Sequence, residues 1–242
     1  MNETEVLLFD IEGTTTNISF VKEVLFPYAR NNCRNFLIEN FEAPEIKFAI
    51  DELCELSERD GTPINRSNDK EAFIDSIVAN VQQQISEDRK TKELKNLQGK
   101  IWKIAFESGA IKGHVYEDVP RNFKLWKEAG YKLYIYSSGS VEAQKLLFAN
   151  SVYGNLLKYI DGHFDTSVGH KQESRSYLNI AKEINVDPKK FIFFSDIASE
   201  NVAAEKAGMK SYVLDRPNNP IKLCEEIRET FVVIESFDEV TL

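Results

Sequence analysis

The chain of 242 residues is poor in cysteine and histidine, with three of each. The cysteines, Cys33, Cys54 and Cys224, are odd in number, widely scattered and without C-x-x-C spacing, which favours reduced thiols in an intracellular compartment over a disulfide framework. The histidines have no metal-ligand spacing, so we expect them in turns or at the surface. A zinc site or a Ser-His nucleophile is therefore not indicated.

Basic residues are fewer than acidic residues in this chain. Thirty Lys and Arg face 39 Asp and Glu, a formal net charge of -9, which argues against nucleic-acid and anionic-membrane partners because phosphate contacts need clustered Lys and Arg. No apolar run approaches the roughly 20 residues of a membrane span. The N-terminal MNETEV carries two acids and leads into an apolar run, so no secretory signal is expected. We expect a cytoplasmic protein, with nuclear entry left open.

What the chain does contain is a series of short apolar runs, each followed by polar residues. Residues 6–9 (VLLF) precede DIEGTTT, residues 131–136 (YKLYIY) precede SSGS, residues 191–194 (FIFF) precede SD, and residues 211–214 (SYVL) precede DRP. Runs without polar alternation favour strands that are buried on both faces. A weaker run at 231–234 (FVVI) predicts an edge strand. With helical signals between the runs, the pattern predicts an α/β fold with a parallel sheet.

The helices of this α/β part have readable ends. Asp118 is expected to cap a helix that has Pro120 in its first turn and closes at Gly130. A second helix is expected over 198–207, ending at Gly208.

Residues 20–107 interrupt the alternation, because helical periodicity dominates and no strand-like run appears there. We therefore predict an all-helical insert at 20–107 within an α/β core formed by 1–19 and 108–242. The clearest helix of the insert is expected over about residues 89–107, and 60–70 are expected to form a loop. Five residues should share the apolar face of that helix: Leu94, Leu97, Ile101, Ile104 and Ala105.

Acidic side chains follow two of the predicted strands, Asp10 after the run at 6–9 and Asp196 after the run at 191–194. In a parallel sheet the carboxyl ends of the strands face a common crevice. A carboxylate placed there can attack a phosphoryl group and form an aspartyl-phosphate that water later hydrolyses. A cation such as Mg2+ must offset the repulsion between the two anions, and Asp10, Asp196 and an oxygen of residue 12 could hold it.

Other polar residues near these ends suit the same chemistry. Ser137 or Ser138, together with the backbone N–H groups around Gly139, could bind phosphate oxygens at a helix start. Lys171 could supply positive charge to the nucleophile and the transferred group. Each residue has a structural alternative: an Asx-type turn could explain Asp10, and Asp196 could be the N-cap of a helix.

Four stretches together resemble the haloacid-dehalogenase phosphatase superfamily and, within it, the enolase-phosphatase (acireductone synthase) family. They are DIEGTT (10–15), YIYSSGSVEAQKLLF (134–148), DGHFDT..GHK..S.SY (161–177) and FFSD...E..AA..AG (193–208). Similarity also extends through FVKEVLFPY and DRKTKELKNLQGKIW of the insert. The resemblance therefore covers most of the chain.

The resemblance implies a Rossmann-type core with an inserted helical cap and one Mg2+ per chain. It implies enolisation of 2,3-diketo-5-methylthiopentyl 1-phosphate, followed by removal of phosphate to give the acireductone, in methionine salvage. Asp10 and Glu12 are the implied catalytic residues. The implied metal ligands are Asp10, Glu12 and Asp196, and the implied substrate-binding residues are Ser137, Ser138 and Lys171.

Several alternatives stay open at this point. Glu12 stands where most superfamily phosphatases carry Asp, and either Glu12 or a water held by the metal could be the base for enolisation. Glu200 is expected to orient Lys171 or the metal shell. Another small phosphorylated metabolite could be the substrate, or the chain could be a catalytically silent binding module. A monomer is expected, since a core and a cap can enclose a site within one chain.

Overall fold

The structure is a computed structural model that describes residues 5–217, 219–220 and 222–242. The chain divides into two compact units, one formed by Met1–Phe20 with Lys112–Leu242 and the other by Val21–Ile111. Residues 1–4, which carry part of the argument against a secretory signal, lie outside the described residues.

The unit Val21–Ile111 consists of helices and loops, and all of its residues are described. A short π-helical turn, Val21–Leu25, leads into four α-helices: α1 (Phe26–Asn40), α2 (Pro44–Arg59), α3 (Lys70–Ser86) and α4 (Lys92–Glu107). Helix α1 packs on α3 and α4, and α2 packs on α4. Helix α4 begins after Thr91, whose side chain accepts a hydrogen bond from the Leu94 N–H.

The apolar face predicted for α4 needs one correction. Leu94, Leu97, Ile101 and Ala105 are buried, whereas Ile104 is 43% exposed. Its neighbours Trp102 and Phe106 are buried instead, because the face that packs on α1 and α2 is centred one position away from Ile104.

The other unit is built on a six-stranded sheet in which every pairing is parallel. Its spatial order is β3-β2-β1-β4-β5-β6. The strands are β1 (Val6–Phe9), β2 (Lys132–Tyr136), β3 (Gly162–Phe164), β4 (Phe191–Ser195), β5 (Lys210–Leu214) and β6 (Val233–Ile234). The predicted α/β fold with a parallel sheet is confirmed, and the strand order is that of a Rossmann-type sheet.

Sequence patterns predicted five of these six strands. Strand β3 was missed because it has only three residues, contains glycine and histidine, and lies between Asp161 and Asp165. It pairs with β2 at the edge of the sheet. His163 therefore lies in a strand rather than in a turn.

In the part of this unit that the structure describes, five α-helices accompany the sheet: α5 (Asp118–Glu128), α6 (Val141–Ala149), α7 (Ser174–Ile184), α8 (Ala198–Lys206) and α9 (Glu225–Thr230). The predicted cap of α5 is wrong, because Asp118 is the first helical residue and Glu117 precedes it without a side-chain cap. The Asp118 carboxylate instead accepts hydrogen bonds from Arg216 Nη1 and the Phe237 N–H. A buried arginine and a distant backbone donor outcompete the local cap.

Aromatic side chains cover one face of the central strands. Phe9 of β1 and Phe194 of β4 stack with ring centroids 4.9 Å apart. Trp126 of α5 stacks on both rings, and Phe237 meets both edge-on. On the opposite face, Leu8 belongs to a second buried cluster with residues of α7 and α8. Burial on both faces explains why β1 reads as a continuous apolar run.

His163 is half-buried in β3 and keeps its neutral form. Gln144 donates through Nε2 to the carbonyls of Gly139 and Phe164, so its Oε1 is the acceptor for His163 Nδ1–H at 3.1 Å. Burial, together with the charge of Lys145, lowers the pKa of His163 to about 4. Between the unfolded pKa near 6.5 and this value, only the unfolded chain binds the proton, so stability falls as the pH falls.

We expect His163→Gln to lose less stability than the wild-type chain between pH 7.5 and 5.5. The expected difference is about 1 kcal/mol, since one pKa unit corresponds to about 1.4 kcal/mol and the ring is only half-buried. Urea unfolding followed by circular dichroism at both pH values measures it. His170→Gln, at an exposed histidine, is the matched control and should follow the wild type. A parallel loss in His163→Gln would contradict the assignment.

Candidate active site

Asp10 and Asp196 come after adjacent strands at the point where the strand order reverses. Strand β1 lies between β2 and β4, and Phe9 pairs with Ile135 on one side and Phe194 on the other. Asp10 follows Phe9 directly and is 5% exposed. The carboxyl edge at such a reversal is the usual ligand crevice of a parallel α/β sheet.

A tight turn follows Asp10. The N–H groups of Thr14, Thr15 and Thr16 all donate to the Ile11 carbonyl, and the Gly13 N–H donates to the Thr16 carbonyl. Gly13 has φ +75°, and a Cβ there would lie 2.2 Å from Asp196 Oδ2. Only glycine combines this backbone conformation with the close approach of the aspartate.

Asp196 is fixed against this turn. Its backbone N–H donates to Thr14 Oγ1 at 3.1 Å, and its Oδ2 accepts from Asn219 Nδ2 at 3.3 Å. The N-cap alternative for Asp196 is not what the structure shows, because Ile197 occupies that position of α8 and makes no side-chain cap. Asp196 Oδ1 is buried and has no hydrogen-bond partner.

Lys171 is brought into the same site from the segment between β3 and α7. Its Nζ lies 2.6 Å from Asp10 Oδ1 and 2.6 Å from Glu200 Oε2. The Tyr177 hydroxyl donates to the Lys171 carbonyl at 2.7 Å, and the Tyr136 hydroxyl donates to the Gly169 carbonyl at 2.9 Å. Two buried tyrosines therefore fix the backbone that delivers a lysine only 6% exposed.

The charges of this cluster do not balance. Burial would lower the pKa of Lys171, but the charges and hydrogen bonds of Asp10 and Glu200 outweigh it and raise the pKa. Burial and the charge of Asp10 raise the pKa of Glu200. Burial, with the charges of Asp10 and Glu200, raises the pKa of Asp196 to about 8. One lysine does not neutralise three neighbouring carboxylates.

These observations fit a divalent cation. The unpartnered Asp196 Oδ1 and the excess of carboxylates beside Asp10 supply hard oxygen donors and a need for positive charge. Across the described ranges, no three or more His, Cys, Asp and Glu side chains are grouped so that they could hold a metal ion. The side chains of Asp10, Glu12 and Asp196 are thus not assembled as a three-carboxylate cage. Mg2+ in proteins commonly completes its shell with backbone oxygen and water, so two carboxylates with such donors suffice to hold it.

The other predicted site residues, Ser137, Ser138 and Glu12, lie after β2 and β1. Ser137 follows β2, is 4% exposed, and its Oγ accepts from the Gly139 N–H at 3.3 Å. Ser138 is exposed, and Glu12 is half-buried. Ser140 caps α6 by accepting from the Ala143 N–H. The helix start that was expected to bind phosphate is therefore present beside β2.

Sequence reasoning missed Arg216 and Asn219, which contact the turn after β1. Arg216 Nε donates to the Thr14 carbonyl at 2.9 Å, and Asn219 Nδ2 donates to the Gly13 carbonyl at 3.1 Å. The sequence signal was the polar DRP after β5, which matches the strand-end pattern of the other site residues. Their acceptors are backbone carbonyls, which have no signature in a sequence.

Comparisons with known proteins agree with this geometry. A family model described as haloacid dehalogenase-like hydrolase matches residues 4–208. The chain is 47% identical to "Enolase-phosphatase E1" of Xenopus tropicalis, over 97% of this chain and 93% of that protein. It is 45% identical to the protein of the same name from Danio rerio, over 99% and 95%.

Two solved structures are also similar to this chain. The UTR4 protein of Saccharomyces cerevisiae superposes with a TM-score of 0.79 at 32% identity, covering 98% of this chain and 100% of that one. CbbY from Rhodobacter sphaeroides, in complex with phosphate, has a TM-score of 0.58 at 15% identity over 98% and 96%, which shows a shared fold. The chain belongs to the haloacid dehalogenase-like hydrolases and, among them, to the enolase-phosphatase family.

Proposed function

We propose that this chain performs two consecutive reactions at the carboxyl edge of β1 and β4. It enolises 2,3-diketo-5-methylthiopentyl 1-phosphate and then removes phosphate to give the acireductone, in methionine salvage. The observation that carries the proposal is Lys171 Nζ at 2.6 Å from both Asp10 and Glu200, beside the unpartnered oxygen of Asp196. Relatives named enolase-phosphatase that are 45–47% identical over nearly the whole chain support it.

The phosphatase step uses Asp10 as the nucleophile. One oxygen of its carboxylate contacts Lys171, and the other attacks phosphorus while the bond from phosphorus to the enol oxygen breaks. Glu12 donates a proton to the departing oxygen and later takes one from the water that hydrolyses the aspartyl-phosphate. Ser137 and Ser138, with N–H groups at the start of α6, bind the phosphate oxygens.

The enolisation step needs a base at the carbon beside a carbonyl and positive charge near the oxygen that becomes negative. Glu12 takes that proton, and Lys171 stabilises the negative oxygen until it takes a proton from solvent. Glu12 is then in the protonated form that donates to the departing oxygen in the phosphatase step. Because Lys171 is buried, its charge acts in an environment that screens it less than bulk water does.

Enolase-phosphatases of this family are generally Mg2+-dependent. The carboxylates of Asp10 and Asp196, with an oxygen of Glu12 other than its carboxylate and with water, would hold one Mg2+ per chain. When bound, the ion offsets the repulsion between the Asp10 carboxylate and the phosphate.

The proposal also covers the class of substrate, the location and the oligomeric state. Enzymes of this family act on small phosphorylated substrates. No helix among the described residues is long and apolar enough to cross a membrane. We expect a cytoplasmic monomer, with nuclear entry open and no nucleic-acid partner, in which the helical unit Val21–Ile111 serves as the cap.

A single assay tests the two-step activity. Purified protein is mixed with Mg2+ and the diketo phosphate, and inorganic phosphate and the ultraviolet absorbance of the conjugated enol are followed together. We expect the absorbance to rise with or before phosphate, and both to stop when a chelator is added. If neither signal appears while an aryl phosphate is hydrolysed, another phosphorylated metabolite is the substrate. No turnover of any phosphoester would favour a binding module.

Asp10→Asn should lower aryl phosphate hydrolysis by about 1000-fold or more, because the amide cannot act as the nucleophile. The substitution is nearly isosteric and keeps an oxygen for Lys171, so the circular dichroism spectrum should not change. Asp51→Asn, at an exposed aspartate of α2, is the matched control and should retain activity. Hydrolysis by Asp10→Asn at more than a few per cent of the wild-type rate would rule out Asp10 as the nucleophile.

Glu12→Asp should separate the two reactions. The shorter side chain withdraws the carboxylate by about 1 Å, and misplacement of that size costs about 100-fold in rate. We expect enolisation of the diketone to fall by about that factor while aryl phosphate hydrolysis stays within about tenfold. An aryloxide leaves without a proton, and Asp is the residue with which most superfamily phosphatases activate the water that hydrolyses the aspartyl-phosphate. Glu12→Gln should slow both steps on the natural substrate. Full-rate enolisation by Glu12→Gln would show that another group is the base.

A further inference from the structure

The segment after β5 contacts the site from a side that the reaction itself does not use. We propose that Arg216 and Asn219 are positioning residues that hold the turn Gly13–Thr16 and Asp196 in the geometry needed to bind Mg2+. This inference rests on the proposed Mg2+-dependent reaction. Neither residue is placed in contact with the substrate or the reacting atoms.

Arg216 connects the turn to a part of the core that is far away in sequence. Its side chain is 3% exposed; Nε donates to the Thr14 carbonyl at 2.9 Å, and Nη1 donates to Asp118 Oδ2 at 2.9 Å and to the Glu235 carbonyl at 3.0 Å. A guanidinium group donates in several fixed directions at once, which an ammonium group cannot reproduce. The position of Thr14 is thereby tied to α5 and to the segment after β6.

Aromatic rings and backbone donors keep this arginine and its partner in place. The guanidinium carbon lies 4.3 Å from the ring centroid of Tyr116 and 4.8 Å from that of Phe237. Asp118 Oδ2 also accepts from the Phe237 N–H at 2.7 Å and from Ser236 Oγ at 3.2 Å. Neither partner of the ion pair can shift without breaking several contacts.

Stability alone does not explain a buried pair of this kind. Removing two charges from water costs about as much free energy as their attraction returns, so a well-packed apolar pair can be equally stable. What an apolar pair cannot supply is a directed hydrogen bond to the Thr14 carbonyl. The directed bond therefore points to positioning as the role of Arg216.

Asn219 acts on the same turn one residue earlier. Its Nδ2 donates to the Gly13 carbonyl at 3.1 Å and to Asp196 Oδ2 at 3.3 Å. Thr14 Oγ1 accepts from the Asp196 N–H at 3.1 Å, so Asp196 is held at its backbone and at one carboxylate oxygen. The other oxygen, Oδ1, is left buried without a hydrogen-bond partner. This arrangement reserves Oδ1 for a cation.

The test compares Mg2+ binding in Arg216→Lys, Asn219→Ala and a control, Arg228→Lys. The control changes an arginine that pairs with Asp215 near the same strand end but makes no contact with the turn among those the structure gives. Isothermal titration with MgCl2 alone gives the affinity, and the half-saturating Mg2+ concentration for aryl phosphate hydrolysis gives a second value. Thermal unfolding monitored by circular dichroism reports on the fold.

We expect Arg216→Lys and Asn219→Ala to weaken Mg2+ binding by about 10-fold to 100-fold, the usual effect of losing a residue that orients metal ligands. At saturating Mg2+, KM for the aryl phosphate should stay within about twofold of the wild type. The control should bind Mg2+ within about twofold of the wild type.

Three outcomes are distinguishable. Wild-type Mg2+ affinity in both variants overturns the inference, including when their melting temperatures fall, since the residues would then be structural only. If Arg216→Lys does not fold, Asn219→Ala decides, because it removes no buried charge. If the wild-type chain itself neither binds Mg2+ nor hydrolyses phosphoesters, the proposed function fails and the inference fails with it.

Discussion

Crowding of like charges where parallel strands end is the constraint on which the site depends. Asp10 and Asp196 follow adjacent strands, and Glu200 reaches the same place from the first turn of α8. Their mutual repulsion costs free energy that Lys171 offsets only in part, because one ammonium contacts two of the three carboxylates. The fold nevertheless holds these carboxylates together, and the excess negative charge favours binding of a cation. The same excess keeps Lys171 in contact with Asp10 and Glu200.

The parts of the fold that were predictable are those set by local pattern. Continuous apolar runs predicted β1 and β4 because a strand buried on both faces has no polar alternation. Strand β3 was not predictable, since three residues with a glycine carry no period. The cap assigned to Asp118 failed for a different reason: local spacing cannot show that Arg216, 98 residues away, takes the carboxylate.

The same distinction between local pattern and tertiary contact applies to the candidate site. Asp10 and Asp196 could be inferred from their place after apolar strands. Lys171 was proposed as the positive charge that this chemistry needs, although the strand that precedes its segment, β3, was too short to be predicted. Arg216 and Asn219 were found neither from strand-end position nor from the family resemblance, since they contact backbone carbonyls, which every residue possesses. Side chains that act on backbone leave little trace in a sequence.

The aromatic face of the sheet bears directly on how well the carboxylates are placed. Phe9 and Phe194 stack one residue before Asp10 and two residues before Asp196. Close packing leaves such rings little room to shift, so the strand ends above them inherit a fixed spacing. Phe237 meets both rings and also packs on Arg216, which holds the Thr14 carbonyl. The core that stabilises the sheet therefore also constrains the separation of the two aspartates, so apolar packing and the placement of these carboxylates cannot vary independently in this chain.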